Sequence, residues 1–146
     1  MSLARYERAL SGLDAPFAFV DLDTFWLNAA DLERRAGGKP LRLASKSVRV
    51  RELLGRVLAR DGWRGLMTFT LPESLWLGEH GFDDMLLAYP TVDRGALARM
   101  RSAERAPILM VDCAEHLDLI GDGTPPVRVC IDVDASWWVL RGRVRW

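Results

Sequence analysis

The amino-acid sequence predicts an α/β fold with parallel strands, and three observations carry that prediction. Short apolar runs recur at intervals of about twenty residues, a spacing that accommodates one strand and one helix per repeat. The segments between them place apolar residues at helical spacing, as in Val50, Leu53, Leu54, Val57 and Leu58. The runs themselves are nearly continuous, as in Met85-Leu86-Leu87-Ala88 and Ile108-Leu109-Met110-Val111, which suits strands covered on both faces.

Residues Leu3 to Leu10 read as a short helix stopped at Gly12. Phe17 to Leu22 reads as an apolar strand after Pro16, and Asp23 is placed to cap a helix starting at Thr24 and stopping at Gly37-Gly38. A repeating unit follows. Strand Leu41–Ser45 leads into helix Val48–Arg60, stopped at Asp61-Gly62. Strand Gly65–Phe69 leads through Thr70 into a helix with Pro72 in its first turn, ending at His80-Gly81. Strand Asp84–Tyr89 precedes helix Asp93–Ser102; strand Pro107–Asp112 precedes helix Ala114–Ile120; strand Val127–Val133 closes the pattern. Strand–helix alternation implies right-handed crossovers in one parallel sheet. An open doubly wound sheet and a (β/α)8 barrel both satisfy it. Five strands follow Leu41, and a whole barrel takes about 250 residues, so length alone favours the open sheet.

Composition narrows the classes of function. Acidic and basic residues balance at twenty each, so no net field favours nucleic acid or an anionic membrane surface. No apolar run approaches the roughly 20 residues of a membrane span. The N-terminal segment is charged and lacks the apolar core of a signal peptide, so Cys113 and Cys130 are expected to be reduced thiols in the cytoplasm. No glycine-rich phosphate loop follows any strand. His80 and His116 stand singly on predicted helices and the cysteines lack ligand spacing, so no metal site is expected. Trp137, Trp138 and Trp146 read as core or interface material.

Polar residues gather where the strands end: Lys46 and Ser47, Thr68 and Thr70, Tyr89, Asp112 and Cys113, Asp132 and Asp134. In both architectures the carboxyl ends of parallel strands form the ligand face. Asp112 and Asp132 also suit plain capping or hydrogen bonding at strand ends. Lys46 is the most informative of the set. Of twenty basic residues only Lys39 and Lys46 are lysines, and a lysine, unlike an arginine, can shed its proton when desolvated and act as an amine nucleophile. Lys46 is expected to be partly desolvated at its strand end, whereas Lys39 lies in a Gly-Gly-Lys-Pro loop. A strand-end lysine also serves as a solvated surface charge, and both readings stand on spacing alone.

The order Val20-Asp21-Leu22-Asp23, Asn28, the strand Leu41-Arg42-Leu43-Ala44-Ser45-Lys46-Ser47, Thr70-Leu71-Pro72-Glu73, and Gly81-Phe82-Asp83-Asp84-Met85-Leu86-Leu87-Ala88-Tyr89-Pro90 resembles the N-terminal half of fold-type III pyridoxal-phosphate enzymes. These are the alanine racemase, D-threonine aldolase and D-serine dehydratase relatives, and the similarity is greatest to the amino-acid deaminase/aldolase branch. It spans roughly residues 15–135. The resemblance implies a partial (β/α)8 barrel with five sequential parallel strands, preceded by a strand, Phe17–Leu22, that belongs with a C-terminal β-domain. Residues 1–38 would lead into the barrel and residues 39–146 would supply its first five β/α units, the later strands and the C-terminal domain being absent from an incomplete chain. It implies pyridoxal phosphate as cofactor, Lys46 as the Schiff-base lysine, and an arginine after the fifth strand that reaches the cofactor, for which Arg141 and, after Gly142, Arg143 are candidates. The activity implied is that of a lyase, racemase or deaminase on a small, D-configured amino acid. Exposed sheet edges would favour a homodimer or looser association. The surroundings of Lys46 depart from the D-threonine aldolase pattern, with Arg42, Ala44 and Ser45 before it and Ser47-Val48-Arg49 after it where histidines and a second lysine are expected. No tyrosine follows it as in alanine racemases. Reaction and turnover therefore stay open, and a non-catalytic pyridoxal-phosphate-binding protein, an inactive fragment, or an open sheet binding another small ligand are the alternatives.

Overall fold

A computed structural model describes residues 3–135 of the chain, which divides between Gly37 and Gly38 into two compact units. Ser136 to Trp146, and with them Arg141, Arg143 and three tryptophans, lie outside the described residues.

The first unit is a helical pair. Helix α1 (Leu3–Leu10) has the extent that its apolar spacing suggests, and helix α2 (Leu22–Ala36) stops where expected, Gly37 taking the left-handed conformation (φ 57°) that ends it. The cap differs from expectation. Asp21, not Asp23, accepts the Thr24 backbone N–H at 2.9 Å, so the helix begins at Leu22. Asp23 is thereby free for Arg5, whose guanidinium donates to it at 2.7 Å, while the Tyr6 hydroxyl donates to Asp21 at 2.8 Å. Residues 17–21 pair with no strand among the described residues, and Phe17 and Phe19 stand about half exposed. A strand is stabilised by ladder hydrogen bonds, and without a partner an apolar extended segment remains unassigned backbone.

The second unit is one sheet of five parallel strands, β1 (Leu41–Ala44), β2 (Trp63–Thr68), β3 (Met85–Leu87), β4 (Ile108–Val111) and β5 (Val129–Ile131), in the order β1-β2-β3-β4-β5. Sequential order rules out strand reversal about a central strand and is compatible with part of an α/β barrel. Between the strands lie α3 (Ser45–Val48), α4 (Arg51–Leu58), α5 (Leu71–Glu79), α6 (Arg94–Met100) and α7 (Ala114–Ile120). The expected helix 48–60 is thus two helices. Arg49 takes a left-handed backbone (φ 48°) and Val50 is extended, which breaks the ladder after Val48.

Two apolar clusters join the sheet to its helices. Leu66 and Met85 from β2 and β3 pack with Leu54 of α4 and Leu77 of α5. Leu87 and Leu109 from β3 and β4 pack with Leu71 and Leu75 of α5 and Ala96, Leu97 and Met100 of α6. Burial alternates along β2, β3 and β4: Leu66, Thr68, Met85, Leu87, Leu109 and Val111 are buried, whereas Met67, Leu86, Ile108 and Met110 are half-buried. The continuous apolar runs therefore mark one fully covered face and one partly covered face. Full burial on both faces, the expectation from the runs, does not hold for the described residues.

Gly65 allows β1, β2 and β3 to sit together. Leu41 pairs with Trp63 and Leu43 with Leu66, so β2 carries one extra residue opposite Arg42. Gly65 lies in that bulge with φ 64°, a conformation open to glycine. The Arg42 guanidinium reaches across it to the backbone oxygen and carboxylate of Asp84, with the carboxylate contact at 3.0 Å.

Candidate functional site

All five strands point the same way, so their carboxyl ends form one rim. Lys46 lies there, but one residue inside α3 rather than on the strand, because β1 ends at Ala44 and Ser45 opens the helix. Its side chain is exposed, which corrects the expectation of a desolvated amine. From a one-turn helix beyond the sheet, its ammonium meets Tyr89, from the segment after β3.

The Lys46 Nζ donates to the Tyr89 hydroxyl at 2.8 Å and lies 5.2 Å from the ring centroid. A phenol oxygen stands about 2.8 Å from its ring centre, so these distances put the nitrogen beyond the hydroxyl rather than over the ring face, where cation–π attraction acts. The hydrogen bond is the interaction that matters.

Tyr89 is itself held. Phe69 meets its ring edge-on, with centroids 5.5 Å apart at 87°. The Phe69 backbone N–H donates to Glu73 Oε2 at 2.9 Å, and Glu73 Oε1 accepts from the Ser45 hydroxyl at 2.9 Å. Ser45 is buried and adjoins Lys46, so the contacts close a ring: Lys46, Tyr89, Phe69, Glu73, Ser45. Local sequence explains the arrangement. Thr70 caps α5 through the Glu73 N–H at 3.3 Å, Pro72 needs no amide partner in the first turn, and Glu73 returns its carboxylate toward the chain before the helix. The threonine–glutamate spacing is legible in Thr70-Leu71-Pro72-Glu73, but the link from Glu73 to Ser45 spans 28 residues and has no local signal.

Further along the rim, Asp112, Cys113 and His116 meet at the end of β4. His116 Nδ1 is 2.9 Å from Asp112 Oδ1 and 3.2 Å from Cys113 Sγ. The sequence leads one to expect isolated histidines; His80 Nδ1 faces the Trp76 carbonyl oxygen at 2.7 Å. That expectation fails for His116, because Asp112 and Cys113 leave the strand just as α7 brings His116 back over them. The His116 backbone N–H draws the Cys113 thiol pKa down, but loss of water and the Glu115 and Asp112 carboxyls outweigh it, so the thiol stands above its ordinary value. The Glu115 carboxyl is held below its ordinary value by its own backbone N–H and by the Cys113 thiol.

Asp132 donates its backbone N–H to the Val111 oxygen at 2.8 Å and continues the β4–β5 ladder. Arg143 and Arg141 fall outside the described residues. Among those residues no helix is long and apolar enough to cross a membrane. No protein-family model matches the sequence, and comparison with curated proteins finds no match.

Proposed function

We propose that this chain binds pyridoxal phosphate through Lys46, as part of an alanine racemase-like barrel in the cytoplasm that acts on a small D-amino acid. The observation that carries the reading is the Lys46 amine, open to solvent on the strand-end rim and oriented by the Tyr89 hydroxyl at 2.8 Å. Sequential parallel strands are compatible with the barrel part of the reading, and residues 17–21 would pair with a β-domain. The residues fit the aldehyde end of the cofactor: a primary amine able to attack a carbonyl, with a phenol beside it able to take up or return a proton. The arginine proposed for the far end, Arg143, lies outside the described residues.

When bound, the cofactor supplies an electron sink for carbanion chemistry at the substrate α-carbon. The chain's own part is positional. Glu73 ties the start of α3 to the segment after β2, and Phe69 fixes the Tyr89 ring, so the amine is directed over the rim. The exposure of Lys46 favours a second reading beside the first, in which the chain holds the cofactor without turning substrate over.

Incubation with pyridoxal phosphate, borohydride reduction and peptide mapping test the proposal. A reducible adduct is expected at Lys46 in preference to Lys39, and Tyr89→Phe should bring the two lysines toward equal labelling. Labelling confined to Lys39 and the N-terminal amine would remove Lys46 from the site. Turnover of a D-amino acid by the loaded protein separates the catalytic reading from the binding one.

A further inference from the structure

We infer that Asp112, Cys113 and His116 form a three-donor site for a borderline divalent cation of the zinc class. The three donor atoms lie within 4.8 Å of one another at the end of β4. His116 Nδ1 faces both the Asp112 carboxylate oxygen at 2.9 Å and Cys113 Sγ at 3.2 Å. With Nδ1–H the ring donates to the Asp112 carboxylate at 2.9 Å, and with the proton on Nε2 the Nδ1 lone pair is available to a cation beside that carboxylate and the Cys113 sulfur. A cation at the convergence point serves all three donors.

The donor set indicates the class. Thiolate with imidazole selects borderline or soft cations over magnesium and calcium, which take oxygen ligands. Zinc bonds of about 2.0–2.1 Å to nitrogen and about 2.3 Å to sulfur put tetrahedral ligand atoms about 3.3–3.6 Å apart. The observed trio needs to open by only a few tenths of an ångström on its two short sides. On binding, the Cys113 S–H bond gives way to a sulfur–metal bond and its proton passes to solvent. Three protein ligands leave a fourth position for water or a substrate atom, as in catalytic rather than purely structural zinc sites. The site is also distinct from Lys46. Strands β1 and β4 are separated by β2 and β3, a distance of about 14 Å at ordinary strand spacing.

Titration of the untagged protein with Co2+, which occupies zinc sites and is visible, tests the inference. One equivalent should bind with a thiolate-to-cobalt charge-transfer band and the intense visible bands of four-coordination. Cys113→Ser should abolish the charge-transfer band, and His116→Ala should weaken binding at least about 100-fold, the upper end of what losing an outer-shell partner costs. Cys130→Ser should leave both unchanged, and far-ultraviolet circular dichroism should show each variant folded. Absence of a charge-transfer band in the unmodified protein would overturn the assignment. So would its persistence in a folded Cys113→Ser variant or its loss in a folded Cys130→Ser variant.

Discussion

Asp21 shows how one carboxylate can organise a helix start. It accepts from the Thr24 backbone N–H and from the Tyr6 hydroxyl, and both hold its pKa below the ordinary carboxylate range, the Thr24 contact most strongly. The hydrogen bond to Asp21 in turn raises the Tyr6 pKa, because ionised phenol would lose its acceptor and face a carboxylate. A depressed carboxylate contributes stability that is present above its unfolded pKa of about 3.9 and lost as pH falls through the folded value. A raised phenol contributes stability present below its unfolded pKa of about 10 and lost as pH rises through the folded one. Helicity of residues 22–36 should therefore decline at both extremes. An NMR titration of the Asp21 carboxyl carbon should place its midpoint higher in Tyr6→Phe, yet still below that of an unfolded aspartate, since the Thr24 contact remains. An unchanged midpoint would mean that the hydroxyl contact contributes nothing in solution.

At the scale of the element, Gly65 and Gly62 separate two costs that a glycine replacement can carry. Both have positive φ, 64° and 86°, but a Cβ at Gly62 meets nothing within 4 Å. At Gly65 it would collide with the Asp84 backbone oxygen and lie 2.7 Å from Asp84 Oδ2. Gly62→Ala should cost about 1–2 kcal/mol, the backbone strain alone. Gly65→Ala adds overpacking and should cost roughly 2–5 kcal/mol in urea unfolding. Equal costs would show that β2 shifts to admit the methyl group. Neither the bulge nor the Arg42 bridge is legible beforehand, since Trp63-Arg64-Gly65 carries no local sign of Asp84. The elements that were legible have local causes. Leu3–Leu10 and Ala114–Ile120 match their helices because apolar spacing and a following glycine define both ends. Four strands read too long, as in 84–89 against Met85–Leu87, whereas β2 read short and shifted, 65–69 against Trp63–Thr68. Lys46 was legible as a residue type out of keeping with its chain. Tyr89 and Glu73 were visible in the sequence but not in the same chain of contacts, and the trio at β4 was missed because Asp112, Cys113 and His116 come together only through the turn into α7.

For the molecule as a whole, β1 and β5 are the edge strands among the described residues, and Ile131 and Val133 are 69 % and 70 % exposed. Exposed apolar edges recruit other strands. Sedimentation should show association that grows with protein concentration, and Ile131→Lys should shift it toward monomer; a monomer at every concentration would count against edge pairing. The order β1-β2-β3-β4-β5 has another consequence, for the moment of synthesis. Among the described strands, each one after β1 pairs with the one made just before it, so none of these ladders waits for a distant segment to leave the ribosome. Loop closure is then a series of short steps, the condition under which folding is fast. As it emerges, each strand finds its template in place and covers the edge that strand addition would otherwise leave open to a neighbouring nascent chain.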